Sequence, residues 1–231
     1  MKRSYAYETH AHTTEVSSCG RVRAADALRM YKRAGYQGII FTDHFHDDYF
    51  SSLGEMPWEA KIDCYLTGYR EAVKVARTLD MDVLWGMELR FTENDNDYLV
   101  YGIDSDFLKG WEDLHRSSIS IFMESIKSRT DVLVYQAHPF RDGCRLVDPV
   151  IVHGLEIYNG NPRHDSRNNL AAQAAAENRT LILSGSDFHR PGDLASGGVF
   201  LPERISCNAE LIAALKAIRY DALIIKEPAC K

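Results

Sequence analysis

Four short apolar runs in this chain each end on imidazole or carboxylate groups, and a fifth cluster of such groups stands near the amino terminus. The five places are Tyr7-Glu8-Thr9-His10-Ala11-His12, Thr42-Asp43-His44, Gly86-Met87-Glu88, Ala137-His138-Pro139 and Ser186-Asp187-Phe188-His189. A short apolar run bounded by turn residues reads as a buried strand, so the chain delivers ligand-type side chains to strand ends again and again. His10 and His12 are two residues apart, a spacing that puts both on one face of an extended strand and suits two ligands on one metal. Alone the pair is a weak signal among nine histidines, and its plain alternative is a polar strand end. Five strand ends that converge on one point are a much stronger one.

Helical and extended patterns alternate between these places. Helices are predicted over 24–34, ending at Gly35, and over 59–79, 117–128, 168–177 and 209–220; strands are predicted over 38–41, 83–85, 98–103, 132–135, 154–158 and 180–183. Residues 45–58, mixing aromatic and acidic residues with Gly and Pro, read as a loop above the strand ends. Such alternation implies an α/β fold with a parallel sheet and helical crossovers, and ligands gathered at carboxyl ends of strands favour a barrel. An open doubly wound sheet would concentrate them at a switch point instead.

At 231 residues and 45% hydrophobic content, the chain can bury a substantial core, and a single domain over 1–231 is expected. The net charge of −6 argues against broad attraction to nucleic acid or anionic lipid and favours a small substrate. Five cysteines (Cys19, Cys64, Cys144, Cys207 and Cys230) are scattered without a C-x-x-C pair, which fits a reducing cytoplasm. The start, Met1-Lys2-Arg3-Ser4-Tyr5, has no apolar leader core, and no apolar run approaches a spanning length, so a soluble cytoplasmic protein without a membrane partner is expected. No glycine-rich phosphate loop is present to suggest nucleotide triphosphate binding.

Taken together, H-x-H, T-D-H, G-x-E, A-H-P and S-D-x-H, in that order over roughly residues 7 to 200, resemble the PHP (polymerase and histidinol phosphatase) family of metal-dependent phosphoesterases. The resemblance implies a distorted (β/α)7 barrel with a metal cluster at the C-terminal ends of its strands. It implies two or three divalent ions, for which mixed imidazole and carboxylate ligands suggest Zn, Mn or Fe. By the same resemblance His10 and His12 bind one metal with Glu88 and Asp187, Glu88 bridges to a second held by His138, and His44 with His189 helps to hold a third. Glu88, Asp187 and His189 become the candidate catalytic residues. Outside the pattern, Asp187 reads as a turn cap and His138 as a core histidine.

Two positions depart from the family pattern. A further ligand shortly after H-x-H falls to Glu15 or Cys19, and Glu15 is favoured because a carboxylate ionises without help, whereas a thiol must first lose its proton. Cys19 otherwise reads as a small buried residue before a turn at Gly20. Between Glu88 and His138, a missing histidine leaves Asp97 or His115 to complete the second metal. His46 and His153 are expected to be surface or structural, His164 lacks support, and Glu156 and Asn159 are expected to orient ligands or loops. Arg141 and Arg163 are the expected phosphate contacts, with Arg167 facing outward.

The expected reaction is hydrolysis of a small phosphomonoester, such as histidinol phosphate or a nucleotide, by metal-activated hydroxide. A nuclease-like phosphodiesterase and a non-catalytic metal-stabilised module are the alternatives.

Overall fold

Every residue of Gly38-Ile39-Ile40-Phe41 is buried, as a strand covered on both faces requires. Ile39 and Phe41 pack into one apolar cluster with Ala27, Leu28, Tyr31 and Ala72, while Ile40 joins a larger one with Leu84, Leu99, Val134, Leu155 and Leu183. Successive residues therefore serve opposite faces, as a pleat dictates. Each such side chain withdrawn from water contributes about 1.5–3 kcal/mol.

The computed structural model describes residues 4–226. Its first half runs β1 (Tyr5–Ala11), α1 (Ala24–Arg33), β2 (Gly38–Phe41), β3 (His44–Phe45), α2 (Asp47–Ser52), α3 (Trp58–Tyr65), α4 (Thr67–Leu79), β4 (Asp82–Arg90) and β5 (Asp97–Tyr101). The second half runs α5 (Ser105–Lys109), α6 (Ile119–Ile126), β6 (Leu133–Gln136), β7 (Gly154–Asn159), α7 (Asn168–Asn178), β8 (Leu181–Gly185), β9 (Gly197–Leu201), α8 (Asn208–Ala217) and β10 (Leu223–Ile225).

Hydrogen bonding orders the sheet β10-β9-β1-β2-β4-β5-β6-β7-β8, with β3 also pairing with β4. The last parallel strand comes back beside the first. Thr9 Oγ1 donates to the Ser184 carbonyl at 2.6 Å, and Ala11 and Phe188 form an isolated parallel bridge, so the sheet is nearly closed into a barrel.

The α/β barrel-like sheet forms, but the expected parallel arrangement holds for only part of it. β1–β2, β2–β4, β6–β7 and β7–β8 are parallel, but β5 is antiparallel to both β4 and β6, and β9 is antiparallel to β1 and β10. The connection 91–96 is far shorter than the roughly dozen residues that a parallel neighbour needs, so the chain must reverse there. An antiparallel strand begins where its neighbours end. Asp97, the first residue of β5, thus lies at the same rim as the C-terminal ends of β4 and β6.

Two further expectations change. Residues 47–52, expected in a loop, form α2, and the helix expected over 59–79 divides into α3 and α4 at Leu66. Among the described residues no helix is long and apolar enough to cross a membrane. Cys19, Cys64, Cys144 and Cys207 are free thiols, while Cys230 and Met1-Lys2-Arg3 lie outside the described residues.

Candidate metal centre

His10 and His12 leave β1 pointing at Glu88 of β4 and at Asp187, just past β8. His10 Nε2 lies 3.1 Å from Glu88 Oε1 and 3.6 Å from Asp187 Oδ1; His12 Nε2 lies 3.4 Å from Glu88 Oε2 and 3.4 Å from Asp187 Oδ1. Both imidazoles are fully buried, yet neither Nε2 atom has a hydrogen-bond partner of adequate geometry. Buried polar atoms without partners are costly. Donors on a tetrahedron with bonds of about 2.0–2.1 Å stand about 3.4 Å apart, and these four contacts fall close to that length.

Hydrogen bonds on the far side of each ring fix which nitrogen faces inward. Glu156 Oε1 accepts a hydrogen bond from His10 Nδ1 at 2.8 Å. Ser17 Oγ donates its single proton to Asp43 Oδ1 at 2.8 Å, so toward His12 Nδ1, 3.2 Å away, it must accept. In both rings Nε2 is the nitrogen left facing the cluster, so that each, once neutral, presents its lone pair there as metal-bound histidines do.

Glu88 is the hub. Besides His10 and His12 it meets His44 Nδ1 at 2.9 Å and His138 Nε2 at 3.1 Å. Burial disfavours its ionised form, but the His10 and His44 imidazoles outweigh this and hold its carboxyl well below the usual range. Asp187 is held low in the same way, against burial, by His10 and by the neighbouring His12 and His189 imidazoles. Burial and the neighbouring His189 and His44 push His12 well below the usual imidazole range, whereas Glu156, Glu88 and Asp187 overcome burial to raise His10 well above it. His138 and Asp187 also adopt positive φ angles of 29° and 51°, conformations that cost on the order of 1–3 kcal/mol each and cluster at functional sites.

The structure gathers most of the expected residues and leaves some out. His10, His12, His44, Glu88, His138, Asp187 and His189 share one cluster. Glu15 does not: its carboxylate accepts the backbone N–H of Ala24 at 3.1 Å, at the start of α1, and pairs with Arg23. Cys19 stands where Glu15 was expected, its Sγ 3.2 Å from His44 Nε2. Burial would raise this thiol, but hydrogen bonds with His189 and His44 bring it down to about 6.

Asp97 lies 3.7 Å from His138 Nε2 while Arg90 grips it with two hydrogen bonds of 2.8 and 2.7 Å. His115 is elsewhere, stacked on Phe50 and facing Asp47. His46, expected to be peripheral, is at the site: its Nε2 is 3.2 Å from His44 Nδ1 and 3.3 Å from Asp97 Oδ1. His44-Phe45-His46 repeats the H-x-H spacing, which is the signal that could have found it. Cys144 was also missed; it groups with Asp97 and His138 from a loop that carries no periodic signal.

A cavity of about 410 Å³ opens over the cluster, lined by Glu88, Asp187 and His189 and by Arg90, Arg141, Arg163 and Arg190. Arg141 donates to Asp187 Oδ2 at 2.7 Å and to Asn159 Oδ1 at 2.9 Å, and Arg163 pairs with Asp193. Arg167 pairs with Asp142 instead. A second hollow of about 700 Å³, with Val16, Tyr49 and Leu53 in its wall, shares Cys19, His44 and Arg90 with the first.

The family model described as PHP-associated matches residues 165–220, from just before α7 through α8. No curated protein matches the sequence. A Bacteroides vulgatus two-domain protein containing a predicted PHP-like metal-dependent phosphoesterase has a similar fold, with a TM-score of 0.66 at 16% identity over 92% of this chain; the chain spans 62% of that protein. A candidate metal-dependent phosphoesterase from Bifidobacterium adolescentis is similar at a TM-score of 0.55 and 15% identity, over 83% of this chain and 90% of that one. An amidohydrolase from Chromobacterium violaceum, solved with bound sulfate and no metal, is similar at a TM-score of 0.51 and 14% identity, over 90% of this chain and 96% of that one.

Proposed function

We propose, taking the chain's place in the PHP domain family as premise, that it is a metal-dependent hydrolase of small phosphomonoesters. The observation that carries this reading is the pair of buried, unpartnered Nε2 atoms of His10 and His12 beneath a cavity lined by four arginines. His10, His12, Glu88 and Asp187 would hold one divalent cation, Glu88, Asp97 and His138 a second, and His44 and His189 a third. Cations bound there would acidify water and neutralise charge on a phosphoryl group.

The chain's own residues do the rest. Glu156 and Ser17 keep the imidazoles of His10 and His12 turned inward. Arg141 and Arg163 present guanidinium donors at the cavity wall, and paired N–H groups match phosphate oxygens. Both arginines already touch carboxylates, so an incoming phosphate would share or replace those contacts. The hollow beside Tyr49 and Leu53 is large enough to seat the alcohol part of an ester. We read the chain as one domain acting on a small phosphorylated molecule, and its four described thiols accord with a reducing compartment.

The test compares p-nitrophenyl phosphate with bis(p-nitrophenyl) phosphate on metal-reconstituted protein. Monoester turnover at least about 10-fold faster than diester turnover is expected. A diester preference would make the protein a phosphodiesterase, and no turnover of either ester or of a panel of phosphorylated metabolites would remove the reading.

A further inference from the structure

We propose that Cys19 is a thiolate ligand of the candidate centre and that, with His44 and His189, it makes this end of the centre select thiophilic, zinc-like cations over magnesium and manganese. The inference rests on the metal-binding part of the reading above and goes beyond it in naming a ligand and a class of cation.

Geometry brings three donors to one place. Cys19 Sγ is 3.2 Å from His44 Nε2, and His189 lines the same end of the cavity. With zinc–sulfur bonds of about 2.3 Å and zinc–nitrogen bonds of about 2.0–2.1 Å, tetrahedral donors stand about 3.6 Å apart. A shift of a few tenths of an ångström would reach that. His189 Nδ1 donates to the Asp187 carbonyl at 2.9 Å, which leaves its Nε2 as the free donor.

A second observation points to a cation independently of the thiol. The His12 ring packs against His44 and His189, with centroids 4.3 and 4.1 Å apart. Its Nε2 is buried and unpartnered. Each of the three rings offers a nitrogen within 4.8 Å of the others, a spacing at which one cation can meet them together.

The backbone holds Cys19 in this position. Gly20 N–H donates to the Ser17 carbonyl and Arg21 N–H to the His189 carbonyl, at 2.9 and 2.8 Å. A Cβ on Gly20 would meet the Thr13 carbonyl oxygen at 2.7 Å, so only glycine can follow the cysteine through this turn. Soft thiolate donors favour zinc and related cations, whereas magnesium and manganese take oxygen donors.

Cobalt(II) added to metal-free protein tests the assignment, because a cobalt–thiolate bond absorbs in the near ultraviolet by charge transfer. Wild type should show this band at saturating cobalt. Cys19→Ser should lose it while keeping the visible cobalt bands and its circular dichroism, and Cys144→Ser should keep it. Zinc affinity should fall at least about 10-fold in Cys19→Ser, with manganese affinity unchanged. A band absent from wild type that nonetheless binds cobalt, or one that survives in Cys19→Ser, overturns the thiolate assignment and leaves the metal centre standing. No cobalt binding at all overturns the assignment and the metal reading together.

Discussion

His10 Nδ1 donates to Glu156 Oε1 across 2.8 Å, with both side chains fully buried. The same carboxylate takes the backbone N–H of His138 and the side-chain amide of Asn159, each at 3.0 Å. One residue therefore positions two candidate ligands from different strands. Glu156→Gln keeps one acceptor oxygen and replaces the other with an N–H donor, so it cannot accept from His10 on one side and from His138 and Asn159 on the other. Partners behind metal ligands typically contribute 10- to 100-fold in metal affinity, and a loss in that range is expected. Competition with a chromogenic chelator measures it, and unchanged affinity would reduce Glu156 to a packing residue.

Gly185 passes so close to β1 that an added Cβ would lie 2.4 Å from His10 Cβ and 3.0 Å from Glu156 Oε1. Gly185→Ala should therefore destabilise the protein by about 1–3 kcal/mol, the usual cost of overpacking, and should displace His10 from the cluster. Chemical denaturation and metal content, read together, check both effects.

Much of this arrangement was legible in the chain. Buried runs such as Gly38–Phe41 and Leu133–Gln136 announce themselves by composition, and the ligands that follow them need no more than the strand ends to converge. Strand direction is not encoded in periodicity; it follows from the length of connection 91–96, whose bounds only the folded chain defines, and the reversal brings Asp97 to the rim of the cluster. The choice between Glu15 and Cys19 was likewise closed to spacing arguments. In the folded chain Cys19 lies beside His44 and Glu15 binds the first N–H of α1, after a turn in which Asp43 accepts from the Thr13 N–H at 2.6 Å and from the Thr13 hydroxyl at 2.8 Å.

Metal uptake should release protons. In the metal-free protein His138 is brought up to about 10, against burial, by Cys144 and Glu88, and His189 to about 9, against burial, by Asp187 and Cys19. His10 and His44 are raised as well. Raised imidazoles are protonated at pH 7 and must lose those protons to ligate, so apparent metal affinity should climb from pH 6 to pH 9. Calorimetric titration in buffers of different ionisation enthalpy counts the protons released; none released at pH 7 would contradict the assignment of these histidines as ligands.

Chelation should abolish turnover and readdition of metal should restore it. Glu88→Gln should be among the most damaging single changes, since Glu88 meets His10, His12, His44 and His138 at once. An amide cannot bridge two cations as a carboxylate does. Wild-type metal content and rate in this variant would refute the bridging role.

The arginines separate phosphate binding from metal binding. Arg141 is bonded to Asp187, itself a candidate ligand, so Arg141→Ala should lower metal affinity along with kcat/KM. Arg163 pairs instead with buried Asp193, which also accepts the backbone N–H groups of His189 and Arg190 at 2.9 Å each. Removing Arg163 leaves that carboxylate without its cation, so some stability is lost, but no candidate ligand loses a direct contact. Arg163→Ala should therefore lower kcat/KM for a phosphomonoester by roughly 10-fold or more, about 1.4 kcal/mol of transition-state binding, at unchanged metal stoichiometry. Arg163→Lys keeps the charge but not the paired donors and should recover stability before it recovers activity. Wild-type kinetics in both Arg163 variants and in Arg141→Ala would take the arginines out of the substrate site and reopen the choice between a phosphate and an uncharged ester or amide.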